Sequence, residues 1–67
     1  MLSAYTDTPN PYKQWHMRQA FRMGWEAAER GLDPREAQTI VSENPRLNRA
    51  TRAGWWRGYY TKRGEYD

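Results

Sequence analysis

Apolar residues recur along this chain at spacings of three and four, and no stretch alternates between apolar and polar. The pattern therefore predicts helices and no strand. In the first helical stretch Met17, Ala20, Phe21, Gly24, Ala27, Ala28 and Gly31 fall on one face, with Trp25 at its margin and His16 at its edge. Trp15, Arg18, Arg22, Glu26, Glu29 and Arg30 fall on the opposite face, where Arg22 with Glu26 and Glu26 with Arg30 can pair across one turn. A shorter stretch offers Ala37, Ile40 and Val41 as its buried side. The last stretch puts Leu47, Ala50, Thr51, Gly54 and Gly58 on one face, and Arg49, Arg52, Trp56, Tyr59, Tyr60 and Arg63 on the other.

Each stretch is preceded by a capping residue and a proline: Asn10-Pro11, Asp33-Pro34 and Asn44-Pro45. The residue before proline is pushed out of the helical region, and proline suits the first helical position, so each pair reads as a helix start. Glu36 stands three residues after Asp33, as in a capping box. With Gly31 and Gly64 as stops, the expected helices span about 11–30, 34–42 and 45–62. Together they make one all-α domain over 11–64, behind a flexible arm at 1–10 that has no apolar period.

Gly54 and Gly58 lie inside the last helix, where each costs about 1 kcal/mol relative to alanine. Close approach of another backbone is the usual compensation. Ala50, Gly54 and Gly58 are spaced by four, as are Ala20, Gly24 and Ala28, and a short echo relates Ala20-x-Arg22-x-Gly24-Trp25 to Ala50-x-Arg52-x-Gly54-Trp55. The expected fold is therefore two long antiparallel helices packed through small-residue stripes, with Trp25 and Trp55 closing the sides and the short helix held in the linker.

Composition sharpens this picture. Ile, Leu, Val and Phe together number six of 67 residues, so the ten aromatics and seven alanines must carry the core. The stability margin of so short a chain is thin, and a partner or a second copy is a natural way to complete it. No run approaches a membrane span and no signal peptide opens the chain, which makes a cytoplasmic protein the default. Cysteine is absent and histidine occurs once, so no thiolate or zinc site is expected.

Net charge is +3, unevenly spread. Residues 44–64 hold six basic groups and no acidic one, whereas 26–43 are net acidic. Arg46, Arg49 and Arg52 fall in the first turns of the last predicted helix, where the dipole disfavours cations and a bound phosphate would reverse the penalty. Interleaved with them are Trp56 and Tyr60, residue types that stack on bases and also anchor protein interfaces. Arg46, Arg49, Arg52, Arg57, Trp56 and Tyr60 are the candidate nucleic-acid-binding residues; Gly24, Trp25, Gly54, Trp55 and Gly58 are the candidate packing residues. Packing of Trp56 and Tyr60 against the short helix is the competing reading. Trp15 beside Arg18 and Arg22 is the one further hint of binding on the first helix. There is no phosphate-binding glycine loop, no nucleophile near His16 and no carboxylate pair of catalytic arrangement, so neither an enzyme nor a cofactor is expected.

The patterns Ala20-x3-Gly24-Trp25-x-Ala27-Ala28-x2-Gly31 and Pro45 followed by Arg52-x2-Trp55-x2-Gly58-Tyr59 resemble the two long helices of the ribosome modulation factor family. The resemblance implies a two-helix fold that binds the small ribosomal subunit through basic side chains and pairs ribosomes into silent dimers. Arg52 is the basic position that falls on the matched motif, with Gly24, Gly54, Trp55 and Gly58 as packing residues. Here the link from Gly31 to Pro45 is long enough for a capped helix, and the N-terminal arm is nearly neutral where the family's is strongly basic. The expected function is a small non-enzymatic factor that binds rRNA or the ribosome. The alternative is a module, phage or mobile-element encoded, that binds a host protein through its Trp/Tyr/Arg surface; duplex DNA is a third target.

Overall fold

A computed structural model describes residues 10–64. It contains α1 (Trp15–Glu29), α2 (Pro34–Glu43) and α3 (Arg49–Arg63), and no strand among the described residues. The all-α class is as the periodicity predicts. Residues 1–9, most of the expected arm, lie outside the described residues.

Of the three proline-led starts, only Asp33-Pro34 begins a helix. The Asp33 carboxylate accepts from the Glu36 amide at 2.8 Å, and the Glu36 carboxylate accepts from the Asp33 amide at 3.1 Å. Asn10 and Asn44 lack that reciprocal partner, since Lys13 and Leu47 stand three residues on. Their side chains accept instead from the amide two residues on, Asn10 from Tyr12 at 3.0 Å and Asn44 from Arg46 at 2.9 Å. Both are Asx turns, which bend the chain rather than start a helix. As a result α1 begins at Trp15 and α3 at Arg49, four residues later than expected in each case. The start of α3 is Asn48, whose side chain and amide both exchange bonds with Thr51. α1 ends as expected, with Gly31 at φ 80° and the amides of Gly31 and Leu32 bonded to the carbonyls of Ala28 and Ala27.

α1 and α3 form the main helix–helix contact. A β-carbon on Gly24 would run into the Trp55 carbonyl and lie 2.9 Å from the Tyr59 amide nitrogen. One on Gly58 would run into the Phe21 carbonyl and lie 3.0 Å from the Phe21 Cα. The relation is reciprocal: each glycine receives the carbonyl of the aromatic residue three positions before the other glycine. Such approach brings Cα hydrogens onto carbonyl oxygens, a weak attraction that recurs at tight helix crossings.

The two helices run in the same sense, not antiparallel. Gly54 meets Met17 and Ala20, Tyr59 meets Gly24, and Lys62 reaches the Trp25 ring at 5.6 Å, so positions advance together along both helices. The start of α3 lies by the start of α1, where Leu47 and Thr51 share a groove with Trp15 and His16. The cause is α2. As a helix it carries the chain back along the pair before α3 begins, which a short hairpin loop would not do.

Trp55, Tyr59 and Phe21 are the largest fully buried side chains. Trp55 therefore lies in the core rather than closing one side of it, while Trp25 is half-buried, its ring stacked on Phe21. The Tyr59 hydroxyl donates to the Leu32 carbonyl and accepts from Arg63 at 3.0 Å, which ties α3 to the α1–α2 link. Ala37 and Val41 of α2 complete the core with Ala20, Ala27 and Leu47. Ile40, expected beside them, is 41% exposed, because the short α2 buries only a narrow stripe. Ala50 and His16 are exposed as well, and Gly31 lies in the turn rather than on the packing face.

Candidate nucleic-acid interface

Close packing of α1 against the glycine face of α3 leaves the opposite side of α3 turned outward. Arg49 and Arg52 are exposed there, and Trp56 and Tyr60 are half-buried. The two rings stack at 5.6 Å with an interplanar angle of 20°. Behind them Trp55 and Tyr59 stack in the same way at 5.6 Å and 17°. Trp56 meets Tyr59 at 90°, so each outer ring is braced by an inner one. Trp56 and Tyr60 thus pack against the core on one side and show the other side to solvent. The rings are therefore part of the packing around the core and keep part of their surface exposed.

The expected binding residues do not form one patch. Arg49, Arg52, Trp56 and Tyr60 share a flank of α3. Arg57 lies about 100° round the helix from Trp56, half-buried, with its guanidinium 5.7 Å from the Tyr12 ring centroid. It belongs to the packing of Tyr12 across α1 and α3. Arg46 precedes α3 in the turn after α2 and lines the groove beside Trp15.

Electrostatically, the start of α3 stands out. The Arg46, Arg49 and Arg52 guanidinia are exposed and take part in no ion pair among the described residues. Arg22, by contrast, pairs with Glu26 at 3.1 Å. Arg49 and Arg52 lie in the first turn and a half of α3, where the helix dipole adds positive potential to their own. Lys62 and Arg63 sit in the last turn, which the dipole favours. A cluster of exposed cations at a helix start, flanked by partly exposed rings, suits phosphates with adjacent bases.

Sequence reasoning undervalued a second feature. Trp15 is 66% exposed and lines two hollows. One, of about 100 Å³, is shared with Arg18, Gln19 and Arg22. The other, of about 320 Å³, is shared with His16, Gln19, Ala20, Met23, Arg46, Leu47 and Thr51. No lining residue of either is acidic. The available signal was a tryptophan on the charged face of α1; the part contributed by Arg46 and Leu47 required knowing that α3 starts beside α1.

No group of three or more metal-ligating side chains occurs among the described residues, and no helix there is long and apolar enough to cross a membrane. No protein-family model, curated protein or solved structure matches the chain.

Proposed function

We propose that this chain is a small non-enzymatic factor that binds single-stranded RNA, with the RNA of the small ribosomal subunit as its target. The observation that carries the reading is the set of three exposed arginines, Arg46, Arg49 and Arg52, that form no ion pair among the described residues, at the positive end of α3 beside the stacked Trp56 and Tyr60. Phosphates would neutralise a charge density that the described residues leave without an ion pair, and the outer aromatic pair offers a sequence-tolerant stacking surface. The choice of ribosomal RNA rests on the resemblance of the two long helices to the ribosome modulation factor family. Repression of translation, in the cytoplasm, is the corresponding biological role.

Co-sedimentation with purified ribosomal subunits tests the reading. Pelleting with the small subunit at low salt, lost as salt rises, is the expected result. Absence of pelleting at low salt would remove the ribosome as target. Arg52→Glu then tests the residue: it should abolish pelleting while leaving helicity intact, since an acidic side chain near a helix start suits the dipole.

A host protein remains the second reading, favoured by one observation: Trp15, Met23 and Ile40 are large, apolar and exposed. In that case, pelleting with ribosomes would be absent and binding to the partner would depend little on salt.

A further inference from the structure

The hollow between α1 and the turn that precedes α3 combines core residues, Ala20 and Leu47, with three exposed or half-buried side chains, Trp15, Gln19 and Arg46. Trp15 meets His16 at 5.2 Å and 79°, edge to face, and among the described residues no ring lies parallel on Trp15. The Gln19 amide and the Arg46 guanidinium have no hydrogen-bond partner among the described residues. Ala20, Met23 and Leu47 supply apolar lining. The hollow thus presents a flat aromatic platform, an amide with both donor and acceptor, an exposed cation and an apolar wall, with no acidic residue in its lining. At about 320 Å³ it fits one small group rather than a partner helix.

We propose that this hollow receives a single unstacked base of an RNA strand. Trp15 stacks on the base, Gln19 hydrogen-bonds its edge, and Arg46 holds the adjoining phosphate. The requirements of single-strand recognition are met by these three chemistries: aromatic stacking, edge reading by an amide and a positive charge for the backbone. Arg46 joins the hollow to Arg49 and Arg52, because all three arginines lie within the turn before α3 and its first turns. A strand lying across the arginines would therefore reach the Trp15 platform. This inference deepens the RNA-binding reading and rests on it.

The test compares a short labelled single-stranded RNA with the same strand carrying abasic riboses, by fluorescence anisotropy, for the full chain and for Trp15→Ala, Gln19→Ala and Arg52→Glu. Base stacking should strengthen binding between about fivefold and a hundredfold, so wild type should prefer the intact strand by that factor. Trp15→Ala should weaken binding of the intact strand and lower its preference over the abasic one, leaving the share carried by Trp56 and Tyr60, with its salt dependence unchanged. Gln19→Ala should lose discrimination between bases. Arg52→Glu should weaken both strands equally. Because Trp15 is largely exposed, thermal melting of Trp15→Ala should match wild type and exclude misfolding as the cause. If Trp15→Ala retains full affinity and full preference for the intact strand, the base pocket is overturned while RNA binding stands, and the hollow is open to a protein side chain. If wild type binds neither strand at low salt, the RNA reading itself fails and the pocket with it.

Discussion

Three glycines of similar spacing have unequal structural roles, and the difference is measurable. Gly24 and Gly58 each face a backbone carbonyl, which cannot move aside without displacing a helix. Gly54 faces the end of the Met17 side chain at 3.0 Å and the Ala20 β-carbon at 3.7 Å. Methionine is flexible enough to yield. Gly24→Ala and Gly58→Ala should therefore each cost about 1–3 kcal/mol or more through overpacking. In a domain of this size that lowers the melting temperature by roughly 4–8 °C per kcal/mol. Gly54→Ala should be close to neutral, because about 1 kcal/mol of helix propensity offsets the displacement of Met17. Equal losses in thermal melts of all three variants would contradict the carbonyl contacts. Tyr59→Phe should cost about 1 kcal/mol by removing the hydroxyl from the Leu32 carbonyl.

At this scale much was legible in the sequence. Helix-interior glycines imply close approach, and Gly24 and Gly58 provide it. The four-residue spacing, however, picked out Gly54 and Ala50 as members of the same stripe. Their neighbours depend on the crossing geometry, which spacing alone does not encode.

Among the elements, helix starts separate into two chemistries. An acceptor followed three residues later by a side chain that can reach back makes a reciprocal cap, as with Asp33 and Glu36 or Asn48 and Thr51. An acceptor without that partner, even when proline follows, makes an Asx turn, as at Asn10 and Asn44. Asn48→Ala should therefore destabilise the fold by about 1 kcal/mol, whereas Asn44→Ala should leave the start of α3 in place. Chemical denaturation of the two variants distinguishes them, and the opposite order would restore Asn44 as the cap. The residue types needed for this distinction were all visible. The proline drew attention from the position that decides, three residues after the cap. Helix sense was less legible. Whether α3 returns beside α1 parallel or antiparallel depends on where α2 packs, and Ala37 and Val41 carry that information only through contacts distant in sequence.

For the whole molecule, the parallel pair places the start of α3 next to the start of α1. That arrangement brings Arg46 to Trp15, and it sends Arg57 to Tyr12, away from the flank with Arg49, Arg52, Trp56 and Tyr60. The basic run at 44–64 was evident from charge alone. Its division into packing arginines and solvent-facing ones was not, because that depends on which aromatic ring each guanidinium meets.

The salt dependence of binding to a short single-stranded RNA tests the central claim most directly. Arg46, Arg49 and Arg52, which form no ion pair among the described residues, should displace about three counterions and give a log–log slope near −2.1. Arg52→Glu should make the slope shallower by about 0.7 or more. A wild-type slope near zero, or one that Arg52→Glu leaves unchanged, would contradict the assignment of this helix start to RNA.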